Sequence, residues 1–308
     1  MSQPPEPAGD EQAPADGANP IAPLGREEYV EQAHFFRSLG QRLRENVPMQ
    51  EVLESVREEV LATTKLPLAI DFLLAELRHT GAMGAAMAKL PHYFSPLQAY
   101  LVQAGEDERG RFDMRVGLEI LRREAEFRAG PPVTGLPGGG PMPNRQGLFL
   151  FEFEAVCRNR LSYDRGLGAM AADPSFDSDW QAWISALRRQ VGMVDLADLI
   201  YVSSEHYHSR LRRAKQPAGA EATVVLFGER EGRIALANRR KDPLVLFNAF
   251  HRHLGYTAPP RTEQVDEEEA LLPQLARRVE QIEKRMKLLE EEQRGGIDLT
   301  KFYGPQSE

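Results

Sequence analysis

The sequence predicts a multi-domain, mainly α-helical protein: an N-terminal six-helix bundle, a middle α+β domain with a β-hairpin, and a C-terminal amphipathic, coiled-coil helix. Three observations predict it. Apolar residues recur at helical spacing through residues 26–129. Two β-prone runs flank a Gly-containing turn at residues 228–232. A 3,4 apolar repeat runs from Leu272 to Leu289. The chain has 308 residues, 42 % apolar and 27 % charged. That length suggests about two domains, and that balance suits a chain that buries a core.

Residues 1–25 are rich in Pro, Ala, Gly, Asp and Glu. Such a stretch buries too little apolar surface to offset the cost of ordering, so a disordered acidic tail is expected. Between 26 and 129 the apolar stripes follow one another. Phe35, Phe36, Leu39 and Leu43 form the first, and Val52, Val56 and Val60 the second, after Pro48. Leu66–Arg78, Ala82–Lys89, Pro96–Ala104 and Phe112–Phe127 complete six helices with no strand signal. Residues 130–144 are dense in Gly and Pro and read as a linker.

The middle domain is placed at residues 145–257. Gly147–Asn159 reads equally as a strand or a helix. Trp180–Gln190 and Leu196–Arg213 read as helices. Ala222–Phe227 and Arg233–Asn238 read as the two strands of a hairpin around Gly228–Gly232. Asp242-Pro243 reads as an N-cap followed by Pro at the first helical position, and Gly255 as the stop of that helix. The last helix spans 264–294, with Leu272, Leu275, Val279, Ile282, Met286 and Leu289 on one seam. The seam suits either a homodimeric coiled coil or a helix packed on its own domain. Residues 295–308 form a tail that starts at Gly295-Gly296.

Composition narrows the function classes. A net charge of −8 argues against a generally nucleic-acid-binding surface. Cys157 stands alone, which fits a reducing compartment. A bilayer span needs about 20 mostly apolar residues. Leu66–Leu77 is interrupted by Asp71 and Glu76, and Gly147–Val156 by Glu152 and Glu154, so no membrane span is expected. The acidic start lacks the basic and apolar regions of a secretory signal, and a cytoplasmic protein is expected.

Chemistry-bearing constellations are few. Glu106, Asp107, Glu108 and Asp113 gather oxygens of the kind hard cations take, but they match no EF-hand, so Glu106, Asp107 and Asp113 are only weak metal candidates. Glu106 has another role open to it, capping a neighbouring helix N-terminus. His206 with His208, and His251 with His253, are i,i+2 pairs that diverge on a helix, so neither makes a metal site alone. Cys157 reads as a buried structural thiol. Gly138–Gly140 lacks the Lys-Ser/Thr of a phosphate-binding loop, and no catalytic motif is found. No cofactor is assigned. Residues 205–261 hold eleven Lys and Arg against five Asp and Glu, a net of +6. That stretch suits a solvated face, an intramolecular charge match with the acidic N-terminus, or an acidic protein partner. Nucleic acid is disfavoured because no aromatic-studded sheet accompanies the charge.

The first helical region carries an ordered set of landmarks: Val47-Pro48, Gly81 opening Gly-Ala-Met-Gly-Ala-Ala-Met, Pro91 and Phe94 in Leu-Pro-His-Tyr-Phe-Ser-Pro, then Gly105-Glu106 and Gly110. Over about residues 30–129 the chain resembles the cytoplasmic helical domain of type II secretion F proteins and type IV pilus inner-membrane platform proteins. Asn46 stands where that family usually has Gly, and Phe112 where it has Leu. The family continues into transmembrane helices, and this chain continues into the Gly/Pro stretch. The resemblance implies a bundle that docks on protein partners, such as a secretion or pilus ATPase or another platform component, beside a membrane-bound complex. It implies no catalytic residue. The expectation is a non-catalytic scaffold or adaptor. The alternative is a small-molecule or nucleotide-binding α/β protein, an enzyme, acting through residues 145–257.

Overall fold

The computed structural model describes residues 24–45, 47–107, 110–130, 144–214 and 224–262. All the described residues but Thr262 belong to one compact unit. Residues 1–23 of the predicted tail, most of the linker, Asn46, Glu108, the whole 264–294 seam and residues 295–308 lie outside the described residues.

Six helices occupy residues 26–129: α1 (Arg26–Leu43), α2 (Met49–Glu59), α3 (Leu66–Thr80), α4 (Met83–Ala88), α5 (Pro96–Glu106) and α6 (Met114–Ala129). Local chemistry explains their ends. Pro48 precedes α2 with extended backbone. Gly81 closes α3 at φ 73°, a left-handed geometry that costs a side-chain-bearing residue about 1–2 kcal/mol. Ser95 and Gln98 form a reciprocal capping box on α5. Buried faces follow the 3,4 spacing: Leu66, Ala69, Ile70, Leu73, Leu74 and Leu77 on α3 are at most 7 % exposed. Helix α1 packs along α6 over most of its length. Phe35, Phe36 and Phe94 meet in the core, their ring centroids 5.3–6.5 Å apart.

Seven more helices follow: α7 (Arg145–Arg158), α8 (Tyr163–Ala171), α9 (Ser178–Gln190), α10 (Leu196–Val202), α11 (Glu205–Arg213), α12 (Glu229–Ala237) and α13 (Pro243–Leu254). Their arrangement corrects the predicted α+β domain, because no strand or sheet occurs among the described residues. The second arm of the predicted hairpin, Arg233–Asn238, lies mostly in α12. Glu229 and Glu231 sit in the first turn of that helix, Glu229 pairs with Arg233 four residues on, and Gly232 and Ala235 bury one narrow face. Period three, set by these small residues, outweighs the β propensity of Ile234. Of the first arm, residues 224–227 are not helical. They make one parallel bridge, Phe227 to Ser204, in which Leu226 N–H donates to Ser203 O and Glu205 N–H to Phe227 O, both at 2.9 Å. A pairing that short is no sheet.

The second array repeats the order of the first. Helices α1–α5 have 18, 11, 15, 6 and 11 residues, and α7–α11 have 14, 9, 13, 7 and 9. Left-handed Gly81 follows α3, and Gly192 at φ 84° follows α9. The fifth helix of each series starts at a Ser cap, Ser95 or Ser204.

Helix α7 runs through the core. All ten residues from Gly147 to Val156 are buried, on every side of the helix. An apolar stripe alone would not require that, and Glu152 and Glu154 within it must be neutralised locally.

Candidate functional site

Two features stand out: a buried ionic cluster around Arg128 and an exposed cationic face on α11–α13.

Arg128, near the end of α6, is 5 % exposed and donates to four side chains. Nε donates to Glu124 Oε1 at 2.7 Å, one helical turn back. Nη1 donates to the Ser175 hydroxyl at 2.6 Å. Nη2 donates to Glu152 Oε1 of α7 at 2.9 Å and to Asp173 Oδ2 of the α8–α9 connection at 2.5 Å. The planar guanidinium supplies enough donors for all four, which a lysine could not. Its carbon also lies 6.0 Å from the centre of the Tyr29 ring. The backbone N–H of Ser175 donates to the other Asp173 oxygen at 2.8 Å. Burial raises the Asp173 pKa, but Arg128 and Ser175 outweigh it and hold the carboxyl below its ordinary value.

Arg128, Asp173 and Ser175 line a small cleft with Tyr29, Tyr93, Gln98 and exposed His92. Its volume is about 30 Å³, room for about two water molecules. Each polar side chain of the cluster bonds another within it, which ties α6, α7 and the α8–α9 connection together. Asp173, Pro174 and Ser175 of its lining belong to residues 145–257, on which the small-molecule reading rests, and none belongs to the predicted hairpin within them.

Glu154 forms a second, smaller cluster on another side of α7. Its carboxylate meets Arg158 one turn on and His251 Nε2 of α13 at 2.6 Å. His206 Nδ1 lies 2.8 Å from Glu229 Oε1. The histidines of each i,i+2 pair thus go to different surroundings. His206 and His251 each meet a carboxylate, His253 is exposed, and buried His208 Nε2 has no partner. Among the described residues no three His, Cys, Asp or Glu side chains converge as a metal would need. Cys157 is packed against the core, and burial pushes its thiol up to about 12.

The weak metal candidates part company. Both oxygens of Glu106 accept backbone N–H groups of α4, from Met83 at 2.6 Å and Gly84 at 3.0 Å, which is the capping role open to it from sequence. Asp113 caps α6 through Arg115 N–H and pairs with the Arg115 guanidinium at 2.8 Å, and the Arg115 hydrogen bonds hold its carboxyl below the ordinary range. Asp107 ends α5, and its carbonyl accepts from Gly110 N–H at 2.8 Å. The other landmarks of the first region are structural as well. Val47 packs on the core, Pro48 and Gly81 set helix ends, and Pro91 lines the cleft. Phe94 is 1 % exposed, and a Cβ on Gly105 would meet Met114 at 3.0 Å. Leu272, Leu275, Val279, Ile282, Met286 and Leu289 lie outside the described residues.

Charge is distributed unevenly on the surface. In the first array most cations are paired: Arg37 with Glu126, Arg42 with Glu59, Arg57 with Asp71, Arg78 with Glu54, and Lys89 with Glu76. On α11–α13 and their connections, Arg210, Arg212, Arg213, Arg230, Lys241 and Arg252 are exposed, and none forms an ion pair among the described residues. Val224, Val225, Leu244 and Val245, in the same part of the chain, are 40–47 % exposed. Among the described residues no helix is long and apolar enough to cross a membrane. Comparison of the chain with protein-family models, curated proteins and solved structures finds no match.

Proposed function

We propose that this protein is a non-catalytic cytoplasmic adaptor whose α11–α13 face binds an acidic surface on a protein partner. The observation that carries the reading is the contrast in pairing. Where the first array pairs most of its cations, Arg210, Arg212 and Arg213 stand together at the exposed end of α11 with no carboxylate partner among the described residues. Unpaired surface cations favour complementary partners and speed encounter. The neighbouring exposed valines and Leu244 supply apolar contact. The sequence resemblance of residues 30–129 supports a secretion or pilus ATPase, or another platform component, as the partner class, at the edge of a membrane-bound complex. That Arg128 spends its donors on four side chains within the cluster supports the non-catalytic part.

The test is affinity capture with the full chain and with its R210E/R212E/R213E variant, at low and high salt. A partner retained by the wild type, released by salt and reduced tenfold or more by the variant supports the reading. Equal retention by both proteins, or a partner bound independently of salt, overturns it.

A further inference from the structure

The Arg128 cluster contains more acid than base. One guanidinium faces three carboxyl groups, and Glu124, Glu152 and Asp173 are each at most 1 % exposed. Asp173 has donors on both oxygens. Glu124 and Glu152 each give one oxygen to Arg128, and the buried second oxygen of each accepts no hydrogen bond. Burying an ionised carboxylate costs several kcal/mol even before it faces two others. The Gln98 amide of α5 supports Glu124. Glu152 has Arg128 alone.

We propose that Glu152 is a neutral acid at neutral pH, a stored proton that completes the charge balance of the joint between α6, α7 and the α8–α9 connection. Its loss at alkaline pH leaves Arg128 facing an excess of negative charge and loosens that joint.

The surroundings are defined on each side. Helix α1 contributes Tyr29, α5 Gln98, α6 Glu124 and Arg128, and the α8–α9 connection Asp173 and Ser175. Helix α13 gives His251 to Glu154 instead. On α8, Asp164 pairs with Arg188, and Arg165 lies over the Tyr100 ring. Burial, opposed by Arg128 and reinforced by Glu124 and Asp173, holds the Glu152 carboxyl well above its ordinary range. The small cleft brings solvent to Arg128 and Asp173, next to the proton.

A raised carboxyl contributes stability that is fully present below the ordinary Glu range near pH 4.5 and is lost as pH rises toward the folded-state pKa. The experiment is infrared spectroscopy of the full chain, with denaturant unfolding from about pH 4.5 to pH 9. At pH 7 the wild type shows a protonated-carboxyl carbonyl band that E152Q lacks and E124Q keeps. The unfolding constant of the wild type relative to E152Q rises with pH, up to about tenfold per pH unit for one proton. Absence of the band from the wild type at pH 7 overturns the proposal even if E152Q fails to fold. So does its loss in E124Q but not in E152Q, or an unfolding ratio that stays flat across the pH range.

Discussion

Arg128 of α6 and Glu152 of α7 meet at 2.9 Å with 3 % and 0 % of their side chains exposed. The pair joins the two helical arrays where both side chains are buried. Buried ion pairs add little net stability, but removing one partner strands the other charge. Arg128→Met strands the buried carboxylates of Asp173 and Glu124. It is expected to cost about 3–5 kcal/mol, read from the urea midpoint. Adding Asp173→Asn to that variant should recover part of the loss, because an amide needs no counter-charge. A cost below about 1 kcal/mol, the range of exposed pairs, would contradict the central place given to Arg128.

Glu106 gives a second, smaller expectation. Its two oxygens satisfy the first N–H groups of α4, a six-residue helix with no side-chain cap of its own. Glu106→Ala is expected to cost about 1 kcal/mol, as for other helix caps, with Glu106→Gln keeping part of it. Because Glu106 is occupied and Asp113 is engaged by Arg115, millimolar calcium should leave Tm unchanged. A calcium-dependent rise in Tm that Glu106→Gln abolishes would restore the metal reading.

Parts of this structure were legible in the chain and parts were not, for physical reasons. Asp242, Pro243 and Gly255 set both ends of α13 because capping depends on a few adjacent residues. The same locality misled at Ala222–Asn238. Val224, Val225 and Ile234 favour a strand, and only the packing of Gly232 and Ala235 on a neighbour decides for a helix. The Arg128 cluster was nearly invisible, since Glu152 and Asp173 lie 24 and 45 residues away from Arg128. One signal did point there. Glu152 and Glu154 interrupt an apolar run, and carboxylates so placed need buried partners. The cationic face was visible as composition, but which arginines lack partners depends on the fold.

Gly232 tests the corrected α12. A Cβ there would collide with the Ser204 side chain and lie 2.7 Å from His206 Cβ. These atoms belong to the start of α11, so little can give way. Gly232→Ala is expected to destabilise by about 1–3 kcal/mol, the usual cost of overpacking. Gly40, inside α1, is the contrasting case: a Cβ there meets only Leu118 Cβ, at 3.7 Å. Gly40→Ala should stabilise by about 0.5–1 kcal/mol through helix propensity. Had residues 233–238 formed an exposed hairpin strand, Gly232→Ala would be nearly silent, so thermal unfolding of the two variants separates the topologies.

Cys157 reports on the integrity of the α7 core. Burial pushes its thiol up to about 12, opposed by a hydrogen bond from Tyr163 and reinforced by the charge of Glu154. At pH 8 a thiol with that pKa is ionised in about one molecule in ten thousand, against roughly a quarter for an ordinary cysteine. The thiolate is the reacting species, so disulfide-exchange labelling of the native protein at pH 8 should run at least a hundredfold slower than in urea. In the native state the label should enter through transient opening, so its rate should rise in Arg128→Met in step with the lost stability. Fast labelling of the wild type, or equal rates in both proteins, would mean that the end of α7 opens independently of the ionic cluster.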